Sequence, residues 1–356
     1  MKTDKYDQIK LNAKLKILQM ELPGFTVDYF RGISDQTQIK TRIAYAFDLR
    51  IFFHYLLTEQ SRFSARSGIK DFNVSDLDQI SATDIEKFSE YLNDYTLPHY
   101  ANNETLIHHS NSVKGKMRKL STLRSFYKYY FKKELIKTNP AVLVDLPKLH
   151  DKPIVRLETD EIIRLLDAIE HGDQLTPGQK KYYEKNYRRD LAIIALLLGT
   201  GIRISECVGL NITDIDMVNS SFRITRKGGT QAILFLSEEV KSILNNYLKQ
   251  DRYAIIPIDE YSQDALFISL QKKRLTVSSI EKMLKKYTRF VVPLKNISPH
   301  KLRSTFGTNL YRETGDIYLV ADVLGHKDVN TTKKHYAAID EDRRRIAAKV
   351  TKLRED

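Results

Sequence analysis

Three prolines, Pro140, Pro147 and Pro153, fall within the fifteen residues 139–153. Proline donates no backbone hydrogen bond and disfavours helix in the residue before it, so no continuous helix can run through this stretch. The reading is an extended connection between two separately folded parts. At 356 residues the chain is also long enough for two cores. The expected division is a domain over residues 1–150 and a second over residues 151–356.

The first part reads as helical. An apolar stripe of Ile43, Phe47 and Ile51, widened by Leu49, Phe52, Tyr55 and Leu56, predicts a core helix over residues 40–58. Thr83 followed by Glu86 fits a capping box for the next helix, with Ile85, Phe88, Tyr91 and Leu92 on its apolar face. A polar loop is expected over residues 99–110, and a further helix over residues 112–131. From Lys114 to Lys137 there are nine Lys or Arg and a single acid, Glu134. Such a face either contacts phosphates, through Lys114, Lys116, Arg118, Lys119 and Arg124, or is simply solvated. No strand pattern stands out before residue 140, so an all-α domain is predicted.

The second part mixes helix and strand. Residues 158–161 open a helix, with Thr159 as the expected N-cap and Ile162, Ile163, Leu166 and Ile169 buried. Residues 191–198 are apolar on every side, which fits a helix buried at a domain's centre. Gly199-Thr200-Gly201 ends it, and Arg203 stands at the start of the next helix. Taken alone, Arg203 reads as a surface or salt-bridge residue. Alternation over residues 222–226, the pair Gly228-Gly229 and a return over residues 231–236 predict a hairpin with Lys227 at its rim, where a solvated lysine is the ordinary reading. A helix is expected over residues 238–250. Residues 271–303 then hold ten Lys or Arg and one acid, Glu281, which marks Lys272, Lys273 and Arg274 as further candidate DNA contacts. Ser298 and Pro299 suit the cap and first turn of a helix that would carry His300 and Arg303 on one face.

With 58 Lys and Arg against 45 Asp and Glu, the net charge of +13 points first to nucleic acid and only second to a membrane surface. The N-terminus has no apolar core of signal-peptide length, and the longest apolar runs are too short to span a bilayer, so a soluble cytoplasmic protein is expected. Cys207, the single cysteine, has no internal partner. No Cys/His cluster has zinc-ligand spacing, and neither metal nor cofactor is expected.

Taken together, the segment from Gly199 to Glu206, Lys227 in its hairpin, His300-Lys301-Leu302-Arg303, Leu324-Gly325-His326 and Tyr336 resemble the active-site set of the tyrosine recombinases. The resemblance covers about residues 155–345, and the basic helical part before it is similar to that family's core-binding domain, a SAM-like helical bundle. It implies a mainly helical catalytic domain with a small antiparallel sheet. It also implies Tyr336 as nucleophile, His300 as its base, Lys227 as general acid, Arg203 and Arg303 as phosphate clamps, His326 as a further donor and Glu206 as a buttress. Two departures stand out. Tyr336 follows His326 by ten residues where many members have nine, and Ser304 occupies a position often held by a second histidine.

The function so implied is cutting and rejoining of duplex DNA through a 3′-phosphotyrosyl link, by a homotetramer on two DNA sites. A Xer-type role in chromosome-dimer resolution, of the single-protein streptococcal kind, fits the length, with a DNA translocase as partner. An integrase of a mobile element, with an excisionase as partner, is the alternative. A type IB topoisomerase and a regulator without catalysis are the more distant ones. The resemblance further implies that the charged tail, residues 340–356, docks on a neighbouring subunit.

Overall fold

The computed structural model describes residues 2–99, 102–149, 155–226, 228–326 and 328–330. The chain divides into two compact units, Met1–Asp151 and Lys152–Asp356. Both are dominated by helix.

In the first unit, α1 (Lys2–Gln19), α2 (Thr26–Gly32) and α3 (Ile39–Glu59) precede α4 (Ala82–Tyr91), the strands β1 (Tyr95–His99) and β2 (Asn102–His109), and α5 (Val113–Lys132). The core is aromatic. Phe126 of α5 lies 5.1 Å from Tyr29, 6.1 Å from Phe53 and 5.0 Å from Tyr130 between ring centroids, largely edge to face, the arrangement that the ring quadrupole favours. Along α3 the fully buried positions include Ala46, Leu49, Phe52, Phe53 and Leu56, while Phe47 and Ile51 sit half-buried. Ile43, Leu49, Phe52, Tyr55 and Leu56 of the expected stripe are buried, with Phe47 and Ile51 at its edge.

Two local expectations need correction. Ser81 and Asp84, rather than Thr83 and Glu86, make the capping box of α4: the Asp84 N–H donates to Ser81 Oγ at 3.2 Å and the Ser81 N–H to Asp84 Oδ2 at 2.8 Å. Both pairs match the pattern, and the box forms two residues earlier. The unit is also not all-α. The stretch read as a polar loop holds β2, which pairs antiparallel with β1 just before it, Tyr95 opposite His109 and Leu97 opposite Ile107. Its apolar signal is weak because Tyr95 and Leu97 turn inward while Leu106 is 67% exposed.

Burial alone would raise the Asp84 carboxyl, but hydrogen bonds from the Ser81 N–H, Arg62 and the Ser81 hydroxyl outweigh it and hold the group below its ordinary value of 3.8. A depressed folded value means stability that is fully present above 3.8 and lost as pH falls through the lower folded value. Asp84→Asn is expected to cost about 1 kcal/mol near neutral pH, the usual worth of a cap. The gap to the native chain should close in acid, as denaturant melts at a series of pH values would record.

The second unit is built around α8 (Tyr187–Thr200), which follows α6 (Thr159–His171) and α7 (Pro177–Tyr183). Leu191, Ala192, Ile193, Ile194, Leu196 and Leu197 are all buried, as an all-apolar helix requires. The short α9 (Ile204–Gly209) leads into a three-stranded antiparallel sheet of order β3 (Ile215–Asp216), β4 (Ser221–Thr225) and β5 (Gln231–Phe235). Strand alternation holds on β4, where Phe222 and Ile224 face the core and Arg223 and Thr225 face out. The chain continues through α10 (Glu238–Gln250), α11 (Val277–Val291), α12 (Pro299–Thr314) and α13 (Ile317–Leu324). Leu165 and Ile169 of α6, Val240 and Leu244 of α10, and Leu302 of α12 join the α8 residues in one core. α6 is capped by Glu158 rather than Thr159, which is its first residue. Among the described residues no helix is long and apolar enough to cross a membrane.

Candidate active site

The site forms where α8 ends, α9 begins and α13 ends. Gly201 closes α8 in the left-handed region at φ 63°, a conformation that a side chain disfavours, and a Cβ there would run into Phe306 and Leu324. The turn hands the chain to Arg203, the extended N-cap of α9. Glu206, buried, serves it twice: Oε2 accepts from the Arg203 backbone N–H and Oε1 from Nη1, each at 2.8 Å. This carboxylate both caps the helix and orients the guanidinium. The other arm of Arg203 donates from Nη2 to the Gly325 carbonyl at 3.1 Å.

Arg303 comes from α12. Pro299 occupies the first position of that helix and Ser298 is its cap, although no side-chain capping bond forms. Arg303 is only 5% exposed, whereas His300, one turn earlier, is exposed. Arg303 donates from Nη1 to the Gly201 carbonyl at 2.6 Å and from Nη2 to the Leu324 carbonyl. The two arginines thus come together at the last turn of α13. That helix starts at Asp316, whose Oδ1 accepts from the Tyr318 and Leu319 N–H groups at 2.8 and 3.1 Å. It ends at Gly325, φ 62°, and the His326 N–H reaches back to the Ala321 carbonyl at 2.9 Å.

The end of a helix leaves carbonyls without intrahelical donors and carries the negative end of the dipole. Here guanidinium groups fill that role. Arg226 donates to the carbonyls of Asp322 and Val323, Arg303 to that of Leu324, and Arg203 to that of Gly325. Half-buried His326 follows directly. The structure therefore gathers Arg203, Glu206, Arg303 and His326 at one place. Lys227 and Tyr336 lie outside the described residues. Arg226 went unnoticed in the sequence, because its partners are backbone carbonyls and no residue pattern marks them.

The expected DNA contacts fare unevenly. Lys114, Lys272 and Lys273 are exposed, Lys116 is half-buried, and Arg118 is 47% exposed at its side chain while pairing with Asp48 Oδ2 at 2.5 Å. Three others have partners within the fold, Lys119 buried and Arg124 and Arg274 half-buried. Lys119 is buried and donates to Asn111 Oδ1 at 2.7 Å. Arg124 donates to the carbonyls of Ala141 and Val144 at 3.2 and 2.5 Å. Arg274 holds the carbonyls of Val208 and Leu210 at 3.0 and 2.8 Å and stacks on Tyr261. Charge counting along a chain cannot separate a solvated cation from one that closes a backbone turn. Among the described residues no group of three His, Cys, Asp or Glu could hold a metal ion.

The sequence profile described as the phage integrase family matches residues 155–343, a span that holds every residue of this site. The chain belongs to the phage integrase family. Within this family of tyrosine recombinases it is similar to the tyrosine recombinase XerC of Caldanaerobacter subterraneus subsp. tengcongensis, 30% identical over 336 residues that cover 93% of this chain and 86% of the relative. The tyrosine recombinase XerS of Streptococcus pneumoniae is 30% identical over 359 residues, covering 94% and 97%. Two solved structures share the fold. A XerH site-specific recombinase bound to palindromic difH substrate aligns with a TM-score of 0.61 at 21% identity, over 88% of this chain and 79% of that one. The Tn1549 transposon integrase in complex with circular intermediate DNA gives 0.61 at 19%, over 86% and 93%. This member of the family is an enzyme of site-specific DNA recombination.

Proposed function

We propose that this chain is a Xer-type recombinase that cuts and rejoins duplex DNA at two copies of its site, each strand passing through a 3′-phosphotyrosyl link. The convergence of Arg203, Arg303 and His326 on one helix end carries the reading, because cationic and polar donors placed together are what a pentavalent phosphate needs. In the proposed step His300 takes the phenolic proton of Tyr336, and the phenolate oxygen bonds to phosphorus. The bond from phosphorus to the 5′-oxygen breaks, and that oxygen leaves with a proton from the Lys227 ammonium. Rejoining runs the same steps backwards from another 5′-hydroxyl, so the phosphodiester's free energy is kept and no nucleotide cofactor enters. Arg203 and Arg303 hold the non-bridging oxygens as charge builds, with Glu206 keeping Arg203 in place.

The first unit is the proposed core-binding domain, its exposed Lys114 and half-buried Lys116 meeting phosphates. A tetramer on two sites in the cytoplasm, with the segment from Glu341 onward joining neighbours, completes the reading. The XerC and XerS relatives, each 30% identical over 86% and 97% of their lengths, support the Xer reading.

The test is a supercoiled plasmid with two directly repeated copies of the site, recovered beforehand by selecting bound duplexes from a random library. Resolution into two circles, without ATP or any added protein, is the expected result. Relaxation without resolution would indicate a topoisomerase. Binding with neither would indicate a regulator, and resolution only with an added excisionase would indicate the integrase.

A further inference from the structure

Arg226 stands at the base of the hairpin turn that holds Lys227. Its backbone closes that turn at both ends: its N–H donates to the Thr230 carbonyl at 2.7 Å, and its carbonyl accepts from the Gly229 N–H at 3.0 Å. The turn itself contains two glycines in left-handed conformations, Gly228 at φ 101° and Gly229 at φ 88°. Successive glycines leave a turn many alternative backbone arrangements, so its direction depends on a hold from outside it.

The Arg226 side chain supplies what the turn lacks. It leaves the sheet and reaches the last turn of α13, where Nη1 donates to the Asp322 carbonyl and Nη2 to the Val323 carbonyl, both at 3.1 Å. A guanidinium is suited to this, because its planar fork meets two adjacent carbonyls at once. Gly325 makes room for it: a Cβ there would collide with the Arg226 guanidinium. The residue immediately after Gly325 is His326. One planar group therefore ties the residue before Lys227 to the helix end that presents His326, and Arg203 and Arg303 hold the neighbouring carbonyls of the same end.

We infer that Arg226 is a positioning residue, a strut that sets the hairpin bearing the general acid against the His326 end of α13. The inference rests on the reading of Lys227 as that acid. Arg226 itself touches no reacting atom in this scheme and acts through its neighbour. Losing it leaves the phosphate clamps in place and misplaces the proton donor, so the damage falls on leaving-group protonation and not on DNA binding.

The test compares two nicked suicide duplexes that differ only in the bridging atom of the scissile phosphate. In the ordinary duplex the 5′-oxygen must gain a proton as its bond to phosphorus breaks. In the second, sulfur replaces that oxygen and leaves as a thiolate with the bonding pair, needing no proton because an ordinary thiol ionises at about 8.5. Arg226→Gln is expected to bind both duplexes as the native chain does and to form covalent complex about 10- to 100-fold more slowly on oxygen, the scale of a slightly misplaced catalytic group. On sulfur it should return to within about threefold of native. Lys227→Ala is the control and should show the same selective recovery with a deeper loss on oxygen, about 100-fold or more for a general acid.

Equal loss on both duplexes, or no loss on either, would overturn the role given to Arg226. If Lys227→Ala also fails to recover on sulfur, the assignment of the acid falls and the strut falls with it. Recovery of Lys227→Ala without recovery of Arg226→Gln sinks the strut alone. Should Arg226→Gln fail to bind the duplex, Arg226→Lys, which keeps one carbonyl bond, takes its place. Selective recovery on sulfur then supports the strut and equal loss on both duplexes overturns it, at smaller amplitude.

Discussion

Replacing Tyr336 with phenylalanine is expected to leave DNA binding unchanged and to abolish the covalent complex. The substitution removes one oxygen and no charge at neutral pH, since a phenol ionises at about 10. Affinity for a polyanion should therefore not change. Cleavage requires that oxygen to bond to phosphorus, and loss of a nucleophile costs more than about a thousandfold. Among the chain's 20 tyrosines, two of the deeply buried ones are poor substitutes. Burial pushes Tyr247 up to about 12 and Tyr127 well above its ordinary value, and the rings of both are packed in cores. A suicide duplex carrying a nick near the scissile phosphate traps any covalent product, and denaturing gels of native and Tyr336→Phe protein read the outcome.

Arg303→Ala is expected to damage folding and chemistry together, the second largest effect. The side chain is 5% exposed and holds the Gly201 and Leu324 carbonyls, so alanine removes the donor from both and leaves a void between α8, α12 and α13. An unpaired buried carbonyl costs about 1–3 kcal/mol, which sets an expected loss of about 2–5 kcal/mol in stability. Cleavage by the remaining folded protein should fall at least about a hundredfold, as when one transition-state donor is removed. Arg303→Lys separates the two effects. An ammonium keeps the charge but cannot span two carbonyls in a plane, so phosphate affinity should recover more than stability does. Denaturant midpoints, measured alongside the rate of covalent-complex formation, check both parts. Arg203→Ala should differ in kind, because Arg203 is more exposed, at 33% of its side chain, and its loss should affect rate far more than stability.

Much of the second unit was legible in the sequence. The all-apolar run over residues 191–198 announced α8, the pattern over residues 222–236 announced a hairpin, and α10 runs from Glu238 to Gln250 as expected. These elements bury whole faces, and burial of a whole face leaves a clear periodicity. The pair β1–β2 was not legible, because among the described residues it turns Tyr95 and Leu97 into the core while Leu106 points to solvent, which leaves no clean alternation. The box at Ser81 and Asp84 was missed for a different reason: two overlapping pairs fit one pattern, and Ile85 and Phe88 fall inside the helix with either start.

Of the site, the side chains were legible and their scaffolding was not. Arg203, Arg303 and His326 stood out by type and order along the chain. That Arg203 and Arg303 are held by the carbonyls of residues 324 and 325 has no signature, because any residue offers a carbonyl. The same blindness accounts for Lys119, Arg124 and Arg274, which look like DNA contacts by charge and are bound within the fold. It also hid Arg226.

The most direct measurement is the chemical identity of the trapped adduct. Covalent complex from the suicide duplex is digested with protease and nuclease, and the nucleotide-bearing peptide is sequenced by mass spectrometry. The expected adduct is a 3′-phosphate ester on the phenolic oxygen of Tyr336, with a free 5′-hydroxyl on the departing strand. An adduct on any other residue, or a link to a 5′-phosphate, would contradict the account.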